Sequence, residues 1–172
     1  MKVETLETPR LQLLAFERAD EEALAAMMGD PEVMKLYGGG VTLSRESVRY
    51  TLDFHLHCRS HDYWAWAIRS RDDGRFIGSL TAGFTGFDGM RWLEPAWIVA
   101  RSEWGCGFAT EAAKAFVNYA LKQLHWKRLR ATANQHNSAS LRVIEKAGFT
   151  FLRTAEVRPD RLACVFVFPD IP

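Results

Sequence analysis

The chain predicts an α/β fold of the mixed α+β kind, and three observations carry that prediction. Short stretches of period-two alternation, read as strands, are interleaved unevenly with stretches of helical period. One apolar run of strand character, Ala96-Trp97-Ile98-Val99-Ala100, leads through Gly105 and Gly107 into a long amphipathic helix. Turn signals at Asp72-Asp73-Gly74 and Pro159-Asp160 mark hairpins, so antiparallel pairing accompanies the strand–helix units. Uneven alternation fits a mixed sheet rather than a doubly wound parallel one.

The elements follow in order. Leu11, Leu13 and Ala15 alternate with Gln12 and Leu14 in a first strand. Asp20 caps a helix whose apolar face is Ala23, Leu24, Met27 and Met28, and Gly29 ends it. Gly38-Gly39-Gly40 is a flexible break, after which Ser44 caps a second helix reaching about Arg59. Trp64, Trp66 and Ile68 alternate with Ala65, Ala67 and Arg69 in the next strand. Asp72-Asp73-Gly74 turns it into a partner over residues 76–84, and residues 90–100 form a fourth strand. In the long helix Ala109, Ala112, Ala113, Phe116, Val117, Ala120, Leu121 and Leu124 recur at helical spacing and make one apolar stripe. A fifth strand covers residues 129–133, a short helix residues 138–147 before Gly148, and a last hairpin residues 149–157 and 161–168.

At 172 residues the chain fits one domain over residues 1–172, with a sizeable core. A formal net charge of +1 provides no basic field and argues against nucleic acid as a partner. The absence of a long apolar run predicts no membrane span and no signal peptide, hence a cytoplasmic protein. Three scattered cysteines (Cys58, Cys106, Cys164) form neither a disulfide nor a metal pattern. The local cluster Lys127, Arg128, Arg130 reads either as a solvated strand edge or as a contact for a ligand phosphate.

The glycine turn is the most informative segment: Trp104-Gly105-Cys106-Gly107-Phe108-Ala109-Thr110 joins a strand to a helix start. Unpaired N–H groups converge there, the helix dipole adds positive potential, and glycine lets a bulky anion approach. Such a turn binds phosphate or pyrophosphate. A Walker loop is excluded because no Lys-Ser or Lys-Thr follows Gly107. A dinucleotide fingerprint is excluded because Thr110 stands where its third glycine belongs. The remaining candidate is a loop that resembles those holding the pyrophosphate of coenzyme A. There W-G-C-G-F-A-T-E-A resembles the GNAT superfamily of acyl-CoA N-acyltransferases, in the form found in its RimJ/RimL-like branch. The resemblance extends from about Thr8 to Arg153 through T-P-R-L-Q-L, D-P-E-V-M-K, W-A-W-A-I with G-R-F-I-G-S-L, E-P-A-W and N-S-A-S-L-R-V-I-E-K-A-G-F. Two positions depart from the pattern: Ser102 replaces the usual Gln or Arg, and Pro95-Ala96 replaces the branch's x-Gly before Trp97.

The resemblance implies a GNAT fold, a mixed but mostly antiparallel sheet flanked by helices, with parallel fourth and fifth strands that splay apart. The pantetheine arm of acetyl-CoA then lies in the gap, with Ile98, Val99 and Ala100 offering backbone groups and residues 104–110 the pyrophosphate site. Asn137 is expected at the pantetheine, with helix capping as its competing role. Glu94 is the implied general base, acting through water, against the plainer role of a strand-end carboxylate. Ser140 is the implied proton or hydrogen-bond donor to the sulfur, against first-turn capping. Glu111, in the first turn of the long helix, would repel a pyrophosphate and is expected to face away.

Three further features need weighing. Cys106 sits at a helix start, where thiols acidify, yet no His-Asp set accompanies it and the family transfers its acyl group directly. His55, His57, Cys58 and His61 form an H-x-H-C-x-x-H string too sparse for a four-ligand zinc site, so no metal is expected. His57 and His61, with Trp64 and Trp66, are expected to line the acceptor site, although an alternating Trp pair is more often core.

The expected activity is acetyl transfer from acetyl-CoA to a primary amine, either a small molecule or a protein N-terminus, in a ternary complex. The protein is expected to be a monomer or homodimer. The alternative from another class is a non-catalytic acyl-CoA-binding or sensing domain, and a nucleotide-binding protein is a distant third.

Overall fold

A computed structural model describes residues 3–35, 37, 39–58, 60–158 and 161–169. Gly38, Arg59 and the Pro159-Asp160 turn, all singled out in the sequence, lie outside the described residues. The strands are β1 (Leu6–Glu7), β2 (Leu11–Leu14), β3 (Tyr63–Ser70), β4 (Phe76–Phe87), β5 (Met90–Val99), β6 (Arg130–Ala133), β7 (Thr150–Arg158) and β8 (Arg161–Val167). The helices are α1 (Glu21–Met28), α2 (Pro31–Met34), α3 (Arg45–His57), α4 (Phe108–Lys122) and α5 (Ser138–Lys146).

Strands β1 to β5 pair in chain order as an antiparallel sheet, and β6-β8-β7 form a second antiparallel sheet. Among the described residues one parallel bridge, Leu93 to Leu129, joins the two, reinforced by the Leu93 N–H donating to the Arg128 carbonyl at 3.0 Å. Beyond that bridge β5 and β6 diverge, which is the splay the fold implies.

Side-chain parity divides the core into two layers. Trp64, Trp66 and Ile68 of β3 and Leu93 and Val99 of β5 pack with Ala113, Phe116 and Ala120 of α4. Ala65 and Ala67 of β3 and Ile98 of β5 face the other way, against Leu24, Met27, Val48 and Leu52 of α1 and α3. The small residues on that side leave room between sheet and helices.

Two elements, β1 and α2, were not legible in the sequence, and β4 runs past its expected end. β1 is only two residues long and pairs at the sheet edge. α2 forms because Asp30 accepts a hydrogen bond from the Glu32 N–H (2.9 Å) and Pro31 opens the helix. β4 continues to Phe87, three residues past its expected end, because Asp88 and Gly89 both adopt left-handed φ (51° and 71°) and close a tight hairpin onto β5.

Candidate active site

The start of α4 lacks a side-chain cap. Its N-cap is Gly107, at φ 80°, which has no side chain to accept from the first turn. By contrast Asp30, Ser44 and Asn137 cap α2, α3 and α5 with their side chains; Asp20, expected to cap α1, stands at its N-cap but makes no capping bond and accepts instead from the Glu17 N–H at 2.8 Å. The N–H groups of Phe108, Ala109 and Thr110 belong to the unpaired set of a helix start, and the exposed Gly105 and Gly107, both left-handed, leave the approach open. A Cβ on Gly105 would meet nothing within 4 Å, so these glycines serve backbone conformation rather than tight packing.

A tether fixes this loop. Arg10 donates from Nη1 to the Cys106 carbonyl (2.9 Å) and from Nε to Glu111 Oε2 (2.7 Å), and its guanidinium lies over the Phe108 ring. The other oxygen of Glu111 accepts from the Thr8 hydroxyl (2.6 Å) and the Arg10 N–H (2.9 Å). Glu111 is thus turned away from the glycine turn and holds the N-terminal strand to the helix start. Burial pushes the Glu111 carboxyl up, but the hydrogen bonds from Thr8 and Arg10 outweigh it and leave the value lowered. Arg10 went unnoticed in the sequence as a functional residue, although it lies within T-P-R-L-Q-L.

On the opposite side of the loop, the Trp104 indole N–H donates to the Val99 carbonyl at 2.9 Å, anchoring the turn to the end of β5. The Cys106 thiol is exposed, beside the Trp104 carbonyl at 3.6 Å.

The edge of β5 facing the splay can be assigned from hydrogen bonds. Leu93 donates outward to Arg128, and Ala100 donates inward to Ile77 (2.9 Å). Because backbone direction alternates along an antiparallel strand, Pro95, Trp97 and Val99 point into the gap and Ile98 points to β4. The expectation for Ile98 and Ala100 is therefore corrected: Ile98 is spent on the ladder, and the Ala100 carbonyl accepts from Glu103 (2.9 Å). The Trp97 backbone and the Val99 N–H are the groups left on the open edge. Pro95 costs nothing, since its missing N–H falls on the unpaired edge.

Glu94 stands at the root of the gap. Its register partners are Gly83 and, one strand further, Tyr63, so it emerges on the α1–α3 face of the sheet. One carboxylate oxygen accepts from the Thr132 hydroxyl at 2.6 Å, and the other pairs with Arg130 across the splay. Arg130 is only 4% exposed and also lies over the Phe87 ring. The expectation that Arg130 belongs to a solvated or phosphate-binding basic cluster is thereby overturned: it turns inward to Glu94. Nothing but its charge marked Arg130 in the sequence.

Across the gap, Asn137 caps α5, its Oδ1 accepting from the Ser140 N–H at 3.0 Å. The capping role expected as the alternative for Asn137 is the one observed. Ser140 is half-buried in the first turn of α5, after the C-terminal end of β6.

The acceptor-side expectations need larger corrections. Trp64 and Trp66 are 5% and 0% exposed and face α4, with Trp66 edge-on to Phe116 and Tyr119; they are core. His57 is exposed and bonded to the Asp53 carbonyl of its own helix (2.9 Å), and His61 is exposed beyond the helix end. The histidine that turns inward is His55. It stacks on Phe16 (centroids 4.8 Å), and its Nδ1 lies 3.3 Å from the Tyr63 hydroxyl. Burial pushes the His55 imidazole down to about 4 and the Tyr63 phenol up to about 12.

His55 and Tyr63 line a cavity of about 290 Å³ between α1–α3 and the sheet, together with Thr51, Ser79 and Thr81. Ser79 and Thr81 pair in register with Ile98 and Ala96 of β5, so one strand separates the cavity from the splay. Among the described residues no three His, Cys, Asp or Glu side chains gather as a metal site, and no helix is long and apolar enough to cross a membrane.

Comparison with known proteins accords with this geometry. The family model described as an acetyltransferase (GNAT) domain matches residues 10–150. The uncharacterized N-acetyltransferase p20 of Bacillus licheniformis is 28% identical over 174 residues, covering 96% of this chain and 95% of the relative. Among solved structures, a GNAT-family acetyltransferase from Bacillus anthracis superposes with a TM-score of 0.83 at 23% identity, covering 96% of this chain and 98% of the other. Spermidine N-acetyltransferase from Vibrio cholerae, solved with CoA and spermine, gives 0.73 at 17% identity, with 93% and 94% covered. At these identities the two structures are evidence of a shared fold.

Proposed function

The chain belongs to the GNAT acetyltransferases and is an acetyl-CoA-dependent enzyme, and from that premise we propose a direct transfer of acetyl to a primary amine, in the manner of the RimJ/RimL-like branch. Acetyl-CoA fits the residues present. The uncapped start of α4 suits its pyrophosphate, and the unpaired edge at Trp97 and Val99 suits the pantetheine amides. The amine enters from the α1–α3 face.

The observation that carries this reading is the position of Glu94, at the root of the splay and on the cavity side of the sheet. The amine nitrogen attacks the thioester carbonyl carbon and forms the C–N bond. The C–S bond then breaks, and its electron pair leaves on the CoA sulfur. The nitrogen proton passes through water to Glu94, whose oxygens each keep a further lone pair beside those held by Arg130 and Thr132. Ser140 is the proposed hydrogen-bond donor to the departing sulfur, the thiolate takes up its proton from solvent, and at a thiol pKa of about 8.5 it is a fair leaving group without help. Cys106 plays no covalent part.

The test is free-thiol release from acetyl-CoA across a panel of amines, with mass spectrometry of the protein after acetyl-CoA alone. Amine-dependent thiol release, an unmodified Cys106 and an active Cys106→Ala variant are expected. An acetyl adduct on Cys106 that an amine discharges would overturn direct transfer. Thiol release from no amine would overturn the activity on amines.

A further inference from the structure

The cavity beside the splay is lined, among the described residues, without a carboxylate, ammonium or guanidinium group. Met28, Met34 and Leu43 supply apolar surface, and Thr51, Ser79 and Thr81 supply hydroxyls. His55 and Tyr63 add an aromatic pair, stacked at 6.0 Å between centroids and continued by Phe16 on the far side of the imidazole. Among the described residues no Asp, Glu, Lys or Arg lines it. Of the two acids on the same helix as His55, Asp53 pairs with Arg18 at the surface and Glu46 lies exposed in the first turn. Asp20 pairs with Arg69, and Glu94 is engaged by Arg130 and Thr132.

A second cationic centre entering this space would lose its hydration and find no counter-charge, and a carboxylate would find no cation. At about 290 Å³ the cavity lies at the lower end of ligand sites, which begin near ~300 Å³. That is room for one ring or branched chain.

Resting on the amine-acetylation reading above, we propose that this cavity receives an uncharged apolar group of the acceptor. The preferred substrate is then a small primary amine bearing an aryl or branched alkyl group and no second charge. The amine nitrogen stays at the sheet, near Glu94, while the apolar group lies among His55, Tyr63 and the methionines. His55 remains neutral there at physiological pH because burial disfavours its imidazolium. Polyamines and free amino acids are disfavoured by the same absence of charge.

The test compares kcat/KM for thiol release with three primary amines of similar length: 2-phenylethylamine, 1,4-diaminobutane and 4-aminobutyrate. Phenylethylamine is expected to lead both by at least about tenfold, the lower end of what a hydrophobic pocket achieves. Thr51→Glu, which puts a carboxylate on the cavity wall, should shift the ratio toward the diamine, while Thr51→Gln, of equal size, should keep the parent order. A parent enzyme that prefers the diamine or the amino acid, or treats all three alike, overturns the substrate class and leaves acetyl transfer standing. So does an unchanged ratio in a Thr51→Glu protein that coenzyme A still stabilises. Thiol release from none of the three, or from any other amine tried, overturns both readings together.

Discussion

Glu94 and Arg130 face each other across the gap between β5 and β6, and their ion pair, with the Thr132 hydroxyl on the other carboxylate oxygen, bridges those strands at the root of the splay. Arg130 is nearly inaccessible, whereas Glu94 keeps 21% of its side chain exposed. The carboxylate therefore serves two purposes, holding a buried cation and presenting an acceptor to the proposed amine.

This double duty shapes the first prediction. Glu94→Gln removes the proton acceptor, and turnover should fall by about 10² to 10⁴, the usual worth of a general base. It also strands Arg130, and breaking a buried pair costs up to about 3–5 kcal/mol. Adding Arg130→Met should restore most of the thermal stability but none of the turnover. Thermal melts and steady-state rates on both variants decide it. A double variant that regains activity would reduce Glu94 to a structural partner.

A second prediction concerns Gly107. Its φ of 80° costs a residue with a Cβ about 1–2 kcal/mol, and that Cβ would stand 3.6 Å from the Arg10 guanidinium. Gly107→Val should lower the melting temperature and abolish the stabilisation that coenzyme A confers on the native state. Gly74, at φ 73° in the β3–β4 turn with open space around it, is the control. Gly74→Ala should carry comparable strain and leave the coenzyme A shift intact. Loss of that shift in both variants would mean that backbone strain, not the approach of the pyrophosphate, is being read.

The tether from Glu111 through Arg10 to the Cys106 carbonyl leads to a third prediction. Glu111→Gln frees Arg10, so the loop must be ordered at each binding event. At about 0.5–1.5 kcal/mol per side chain immobilised, coenzyme A affinity should weaken about 2- to 10-fold by titration calorimetry. The folded Glu111 carboxyl lies below its ordinary 4.5, so the unfolded chain takes up this proton first. The stabilisation is complete above about pH 4.5 and is lost as pH falls through the folded value. The melting-temperature gap between parent and Glu111→Gln should therefore close in acid. A gap that stays constant down to pH 3 would exclude the ion pair as its cause.

How far the sequence foretold this arrangement depends on what each residue interacts with. The glycine turn, α4 and the alternation in β3 are local patterns, and periodicity and φ demands sufficed to read them. The side to which β3 turns its tryptophans was not readable, because parity assigns faces only relative to neighbours. Trp64 and Trp66 lie under α4, while Tyr63 lies at the cavity. The same ambiguity led to His57 and His61 rather than His55: the three lie close together in the sequence, and only the packing of α3 onto Phe16 and Tyr63 selects one. Arg130 and Arg10 act on residues 36 and 101 positions away, and a single sequence carries no signal for such pairs. The Asp88-Gly89 turn was legible by its composition, and ending β4 early at residue 84 hid it.

His55 provides the last prediction. Its imidazole titrates near 4 in the folded protein against 6.5 for the ordinary group, because burial between Phe16 and Tyr63 penalises the charge. Below pH 6.5 the unfolded chain binds a proton that the folded chain refuses, so stability should fall as the solution is acidified from about 6.5 toward 4. The slope approaches one proton, about 1.4 kcal/mol per pH unit, and flattens below the folded value. His55→Phe keeps the stacked ring and removes the titration. Its denaturation free energy should be flatter than the parent's across this window. Asp20, raised chiefly by burial, titrates in both proteins and cancels from the comparison. Urea melts at half-unit intervals of pH provide the measurement. A parent and His55→Phe that share one pH profile would mean that His55 is solvated in the folded protein, and would reopen the cavity wall as a charged surface.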